Sequence, residues 1–145
     1  MNSLAEELRK ILADVFTMYL KTHHYHWNIV GSDFVQYHEF LGEIYNDLWN
    51  SVDGFAEMIR TIDEPVVGSM SDFLNRTSLS EAKETTFDYK TAFLTLNADN
   101  DAIIAALMIG YKVAEEAGEI GISNKLQDRI LIHQKHGWMF RSIIK

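Results

Sequence analysis

The fold is decided by the segment HWNIVGSDFVQYHEF, residues 26–40, which lies between two long amphipathic stretches and carries a histidine on each side of Gly31. Before this segment, apolar positions recur every three or four residues, which is the period of one helix face. Ser3 can cap this helix and Gly31 can stop it, so the sequence predicts a long first helix. Its stripe consists of Leu4, Leu8, Ile11, Val15, Met18, Thr22, His26 and Ile29.

A second long helix is predicted after the segment. It begins after Ser32 or Asp33 and ends near Pro65, because proline cannot continue a helix. Its apolar stripe consists of Phe34, His38, Leu41, Tyr45, Leu48, Val52, Phe55, Ile59 and Ile62.

The rest of the chain predicts a crossover and two more long helices. Residues 64–81 contain Pro65, Gly68 and several Ser and Thr, which is typical of a long connection, with a short helical turn around 71–75. Helical periodicity returns over 82–117, weakened by polar residues at 97–101, and a last helix runs from about Ser123. Four helices with one long crossover predict an all-α, ferritin-like four-helix bundle, formed by a single domain over residues 1–145.

Composition agrees with an ordered helical domain and limits its chemistry. Of the 145 residues, 47% are hydrophobic, with one Pro and eight Gly, which is typical of a globular protein. Cysteine is absent, so His, Asp and Glu are the strong metal donors available. The formal charge of −8 disfavours direct binding to polyphosphate. There is no signal-peptide pattern, and the apolar stretch Ala102 to Tyr111 is too short to cross a bilayer, so we expect a cytoplasmic protein.

Two histidines and two carboxylates are the candidate metal ligands. His26 and His38 lie on apolar stripes, where an imidazole needs a partner, although a single such histidine is more often a hydrogen-bonded core residue. Asp53 and Glu57 are four residues apart, so their carboxylates share a helix face and repel each other unless a cation binds. A solvated acidic edge is the alternative interpretation of that pair. The occurrence of both pairs in one chain favours a metal site.

One copy of the chain cannot bring the two pairs together. His38 and Asp53 are separated by about 22 Å on one continuous helix, at 1.5 Å per residue, whereas metal–ligand bonds are about 2 Å long. If two second helices cross antiparallel about a two-fold axis near residue 45 or 46, His38 of each copy comes level with Asp53 of the other. The sequence therefore predicts two equivalent sites between subunits.

The same residues form part of a longer pattern. In chain order it consists of His26-Trp27-Asn28, Gly31, Phe34, His38, Asp53 and Ala56-Glu57. These residues and their spacings resemble the signature of the Dps family of mini-ferritins. Further matches to the last helix of that family are Gly118-Glu119 and Trp138-Met139-Phe140-Arg141. The resemblance covers nearly the whole chain from Ser3.

The resemblance implies a hollow dodecameric shell, built from two-fold dimers, that oxidises ferrous iron with hydrogen peroxide and stores the ferric product. It implies ferroxidase sites in which Asp53 and Glu57 come from one subunit and His26 and His38 from its mate. Carboxylates and imidazoles suit this chemistry because they bind Fe²⁺ and stabilise Fe³⁺. Zinc is the expected substitute for iron at the same donors.

The chain departs from the family pattern at two positions. The family usually has an Asp four residues after the second histidine, and this chain has Gly42 there. Glu39 and Glu43 lie about 100° and 140° around the helix from His38, so simple rotation does not replace the missing ligand. Met58 stands where the family usually has Arg. We expect the first iron position to persist and the second to be weak or water-filled; the alternative interpretation of Gly42 is close helix packing at the dimer axis.

Several residues near these positions have open interpretations. Trp27 and Trp49 either intercept oxidising equivalents or only pack as buried indoles. Glu119 and Asp128 are candidates for an acidic three-fold pore that admits iron, or are solvated surface acids, and Asn124 replaces a commonly acidic position. No role is assigned to His23, His24, His133 and His136.

Three functions remain open on the sequence. The first is a ferroxidase and iron store. The second is a DNA-compacting protein, against which stands the absence of a lysine-rich tail, since Met1 and Asn2 alone precede Ser3. The third is a structural or metal-sequestering cage whose ferroxidase activity is impaired by Gly42.

Overall fold

The computed structural model describes residues 2–145 and places them in five helices without a strand. These are α1 (Ser3–Asn28), α2 (Phe34–Thr61), α3 (Met70–Arg76), α4 (Tyr89–Glu116) and α5 (Ile120–Ile144). Met1, the first residue of the predicted domain, lies outside the described residues. The prediction of an all-α bundle with a short helix in the crossover is confirmed.

The four long helices form two packed pairs. Helix α1 packs on α2 and α4 packs on α5, while α1 also contacts α4 and α3. Apolar residues from every long helix fill the space between the pairs, and the largest fully buried ones include Leu8, Ile11, Leu48, Phe55, Phe93 and Phe140. Burial of a side chain of this size contributes about 1.5–3 kcal/mol. The core therefore fixes the relative positions of α1 and α2, which carry the candidate ligands.

The first helix begins where predicted but has a different cap. The side-chain oxygen of Asn2 accepts hydrogen bonds from the backbone N–H groups of Leu4 and Ala5, so Asn2 is the N-cap and Ser3 is the first helical residue. The helix ends at Asn28, and Gly31 follows with φ of 129°, a backbone conformation that residues with a Cβ atom disfavour. This tight connection brings the start of α2 back against the end of α1.

The predicted start of the third long helix, at residue 82, is wrong. The helix begins at Tyr89, because Asp88 has an extended backbone and its side chain caps the N–H of Lys90. The connection before it is held by Asp14, a fully buried residue of α1 whose carboxylate accepts hydrogen bonds from Thr77 and Ser78. Those bonds keep the segment that follows α3 extended along α1.

The start of the last helix also differs from the prediction. Gly118 follows α4 with φ of 74°, and α5 begins at Ile120, three residues before Ser123.

Helix α4 is apolar and long enough to span a membrane by length and composition alone, but 44% of its most apolar window is buried inside the bundle. Such burial is typical of a core helix.

Two polar residues of α4, Asp99 and Asn100, are buried and have partners on neighbouring elements. Asp99 forms an ion pair of 2.9 Å with Lys21 of α1, and Lys21 also donates a hydrogen bond to the carbonyl of Ser80. Asn100 donates to the carbonyl of His133 on α5. The polar cluster that weakened the helical pattern therefore connects α4 to its neighbours.

A second buried polar cluster joins α2, α4 and α5. His133 is fully buried, with Nδ1 2.9 Å from Oδ1 of Asn100 and Nε2 2.8 Å from Nη2 of Arg129. Arg129 also donates two hydrogen bonds to the Asp47 carboxylate. Since the guanidinium only donates, Nε2 accepts and Nδ1 carries the proton. Burial, followed by the charge of Arg129 and that of His136, holds the pKa of His133 well below its usual range.

Acid is expected to destabilise the bundle through His133. Its folded pKa lies below the unfolded value of about 6.5, so the unfolded chain binds more protons over that window and stability falls as the pH is lowered through it. His136 contributes with the same sign, because burial lowers its pKa although the Asp47 charge opposes this. Urea unfolding of wild type and His133→Gln above and below about pH 6.5 checks this. An unchanged pH dependence in the variant would show that His133 is not responsible.

Candidate metal centre

His26 and His38 form one half of the candidate site, the histidine half-site. The short connection after α1 places the two imidazole rings in a stack, with centroids 3.6 Å apart and planes inclined by 19°. Nδ1 of His26 lies 2.7 Å from the carbonyl oxygen of His38, and Nδ1 of His38 lies 2.8 Å from the carbonyl oxygen of His26. The two residues thus fix one another reciprocally.

This exchange of hydrogen bonds selects one tautomer for each ring. A carbonyl oxygen only accepts, so each neutral imidazole carries its proton on Nδ1 and keeps the lone pair on Nε2. Burial lowers the pKa of His26; the hydrogen bond to the His38 carbonyl opposes this and the charge of His38 adds to it, and the net lowering favours the neutral ring. An imidazole whose Nδ1–H is held by a carbonyl has its Nε2 lone pair available to a metal ion, as is usual for metal-ligating histidines.

Gly42 lies beside these rings. A Cβ atom at this position would be 3.5 Å from Cε1 of His26 and 3.8 Å from Cε2 of Tyr45, both ordinary contact distances. Within the chain, Gly42 therefore borders the histidine pair, and a side chain at position 42 would fit next to His26. The glycine leaves the His pair without a neighbouring carboxylate from its own helix turn.

Asp53 and Glu57 form the other half of the candidate site. Both side chains are exposed on α2, one helical turn apart. The hydrogen bond with Asp53, followed by the negative charge of Asp53, raises the pKa of Glu57. Two carboxylates this close either share a proton or bind a cation between them.

The two halves lie toward opposite ends of α2. Within residues 2–145 of one copy, no three His, Asp or Glu side chains come together in a group that could hold a metal ion. The structure thus brings His26 to His38 and Asp53 to Glu57, but it does not bring one pair to the other. Assembly of all four around one metal stays a prediction that requires a second copy.

The tryptophans near the half-sites are more exposed than expected. Trp27 is 61% exposed and Trp49 is 51% exposed, so both indoles pack against neighbours but neither is buried in the single chain. Trp27 packs on His23 and Trp49 packs on Tyr19. His23, which received no role from the sequence, also stacks on Tyr45 with ring centroids 3.9 Å apart. Its position one turn before Trp27 was the available signal.

An apolar surface lies beside both half-sites. It includes Leu20, Trp27, Trp49, Met70 and Leu74, which are between 40% and 78% exposed. Part of it forms a groove between α1 and α3. Monomeric proteins rarely expose contiguous apolar patches of this kind, and larger ones mark interaction sites.

The fold defines a ferritin-like bundle, and its two half-sites carry histidines and carboxylates that are candidate metal ligands. A model of the ferritin-like domain matches residues 5–145. The chain is 30% identical to general stress protein 20U of Bacillus subtilis, with 97% of each chain covered.

Solved structures agree with this class. A Dps protein from Vibrio cholerae, described as a member of a broad superfamily of ferritin-like diiron-carboxylate proteins, superposes with a TM-score of 0.94 at 30% identity, covering 98% of this chain and 89% of that one. Dps from Staphylococcus aureus superposes with a TM-score of 0.95 at 26% identity, covering 100% and 97%. The chain therefore belongs to the Dps family of mini-ferritins. Family membership supports a role in iron binding, oxidation and storage.

Proposed function

We propose that this protein oxidises ferrous iron with hydrogen peroxide at sites shared by two copies of the chain and stores the ferric product in a cage. The observation that carries the proposal is the reciprocal bonding of His26 and His38, which leaves an oriented Nε2 donor on each ring. Asp53 and Glu57 supply the charge that the histidine pair lacks. Since the pairs are about 22 Å apart along α2, a partner copy completes each site.

The surface beside the half-sites supports this pairing. The apolar side chains of α1, α2 and α3 surround the half-sites, and two copies that meet there in antiparallel fashion bury them. A two-fold axis near residue 45 or 46 then produces two equivalent sites. We infer that such dimers assemble into a dodecamer, since members of the family form oligomeric cages.

Each residue has a defined part in the proposed reaction. The Asp53 and Glu57 carboxylates bind the ferrous substrate and stabilise the ferric product, and His26 and His38 complete its coordination. Overall, two Fe²⁺ ions each give one electron to one H₂O₂, which takes up two protons and yields two waters. Pairing the electrons in this way avoids release of hydroxyl radical.

Other parts of the proposal rest on the sequence interpretation. Glu119 and Asp128 remain the candidates for an iron-entry pore, and Asp128 is exposed on α5. A cytoplasmic location remains part of the proposal, and the bacterial origin of the relatives supports it. The negative net charge argues against direct DNA binding by this chain.

Gly42 supports one alternative function, a metal-sequestering cage with weak ferroxidase activity. Position 42 supplies no carboxylate next to His26, so a second iron at the same site has one protein ligand fewer. A cage of this kind binds iron or zinc but oxidises iron slowly. The two functions differ in the rate of oxidation after stoichiometric loading.

Iron titration with two variants of Gly42 tests the proposal. Wild type is expected to bind a single ferrous ion per chain and to oxidise it faster than free iron when peroxide is added. Gly42→Asp should take up more iron, because its carboxylate fits beside His26. Gly42→Ala is the matched control, since it stabilises the helix by up to about 1 kcal/mol without adding a ligand. Stoichiometric binding by wild type without accelerated oxidation would favour the sequestering cage instead.

A further inference from the structure

A run of aromatic rings leads from the histidine pair along the contact between α1 and α2. The ring of Tyr45 meets His26 edge to face, with centroids 5.0 Å apart. Tyr19 follows at 6.2 Å from Tyr45, and Trp49 at 5.1 Å from Tyr19. These separations fall within the range of interacting aromatic pairs. We call Tyr45, Tyr19 and Trp49 the aromatic column.

His23 provides the column with a proton acceptor. Its ring stacks on Tyr45 with planes inclined by 9°, and its Nδ1 lies 3.1 Å from the hydroxyl oxygen of Tyr19. In the tautomer with the proton on Nε2, Nδ1 accepts the hydrogen bond from the phenol. A phenol loses its proton when it loses an electron, so an acceptor already in place allows the proton to leave and return.

Within one copy, the column runs from the histidine half of one shared site to the acidic half of the other. It begins at His26 in one half-site and ends at Trp49, which lies one helical turn before Asp53 on the same face of α2. Tyr19 and Tyr45 are partly buried, whereas Trp49 is 51% exposed. Oxidation of the inner rings is therefore shielded from solvent, while the outer ring lies near the acidic pair.

The glycine at position 42, where the family usually has an Asp ligand, explains why a second electron donor is needed. Reduction of peroxide to water needs two electrons, and one Fe²⁺ ion supplies one of them. A site that holds a single iron leaves a one-electron deficit, which would otherwise appear as hydroxyl radical. Tyr45 contacts His26, and Tyr19 and Trp49 follow it in the column as further oxidisable groups.

We propose that the aromatic column supplies the second electron, an inference that rests on the proposed ferroxidase function. One Fe²⁺ and one tyrosine of the column each give an electron to H₂O₂; the tyrosine also gives its proton, a second proton comes from solvent, and the products are Fe³⁺, two waters and a tyrosyl radical. The next Fe²⁺ reduces this radical, which regains a proton. The net reaction oxidises two ferrous ions per peroxide.

Freeze-quench electron paramagnetic resonance of iron-loaded cages tests the proposal. Wild type, loaded with one Fe²⁺ per chain and mixed with peroxide, should show an organic radical that decays when more Fe²⁺ is added. In the variant with Tyr19→Phe, Tyr45→Phe and Trp49→Phe the signal should be lost and hydroxyl-radical spin adducts should increase. Tyr37→Phe is the matched control, because Tyr37 stacks on Tyr89 and is not part of the aromatic column. It should retain the wild-type signal.

The outcomes separate this inference from the proposed function. Rapid iron oxidation by wild type without an organic radical, or an undiminished radical in the triple variant, would overturn the column and leave the ferroxidase intact. Absence of rapid oxidation in wild type would overturn both. The phenylalanine rings preserve packing, and circular dichroism and cage size confirm that the triple variant is folded before its spectra are compared. A misfolded triple variant is replaced by the single variants Tyr19→Phe and Tyr45→Phe, at least one of which should show a weaker radical signal than wild type; two undiminished signals would overturn the column.

Discussion

Replacing Asp53 and Glu57 together by alanine is expected to lower the initial rate of peroxide-dependent iron oxidation by roughly 100-fold or more, since even residues that only orient metal ligands change affinity or activity by about 10–100-fold. Both side chains are exposed, so their removal leaves the core intact. The hydrogen bond with Asp53 and the repulsion by its charge, which together raise the pKa of Glu57, disappear as well, and no group in the core loses a partner. Stopped-flow absorbance after mixing Fe²⁺-loaded protein with peroxide measures the rate.

A charge-matched control isolates the role of this pair. Glu115 and Glu116 are exposed at the end of α4, and their replacement by alanine removes the same net charge. That control should keep the wild-type rate. A double Asp53→Ala, Glu57→Ala variant that oxidises iron as fast as the control would place the ferroxidase site elsewhere.

The largest effect on stability is expected at Lys21. Its side chain is 4% exposed, and its ammonium group pairs at 2.9 Å with Asp99. Burial raises the pKa of Asp99, and the hydrogen bond and charge of Lys21 oppose this rise. Lys21→Met leaves the buried Asp99 without a counter-ion and the Ser80 carbonyl without a donor. Breaking a buried pair in this way costs about 3–5 kcal/mol. Urea unfolding at neutral pH measures the loss.

A double variant distinguishes the lost pair from lost packing. Lys21→Met combined with Asp99→Leu replaces the ion pair by apolar groups and should recover most of the stability, because such replacements are often neutral. Lys112→Met, on an exposed position of α4, is the control and should change stability by no more than about 0.5 kcal/mol. A Lys21→Met variant as stable as this control would contradict the interpretation.

The elements of the fold follow from local signals. Periodic apolar stripes, Gly31 and Pro65 were sufficient to predict the long helices and the crossover. The start of α4 was misplaced because residues 82–88 contain helix-compatible side chains, whereas the actual boundary depends on the Asp88 cap. The role of Asp99 depends on its ion pair with Lys21, which is distant in sequence, so the local pattern indicated only a weakened helix there. The role of His133 likewise depends on contacts with Arg129 and Asn100 that the pattern does not predict.

Some features of the candidate site can likewise be predicted from the sequence, and others cannot. The spacing of His26, His38, Asp53 and Glu57 is visible in the sequence, and so is their separation along α2. The reciprocal hydrogen bonds of the histidines are not visible, because they involve backbone carbonyls brought together by the turn at Gly31. The aromatic column depends on the register between α1 and α2, which apolar periodicity alone leaves undetermined. Side-chain geometry was required to see it.

Complementation between two inactive variants tests most directly whether each site is shared by two subunits. One variant carries His26→Ala and His38→Ala, and the other carries Asp53→Ala and Glu57→Ala. In a mixed dimer, one of the two sites receives all its wild-type ligands, so random co-assembly should restore about a quarter of the wild-type oxidation rate, as isologous symmetry requires. Mass spectrometry of co-expressed, differently tagged chains verifies the mixing. Mixed cages as inactive as either parent would contradict a site built between subunits.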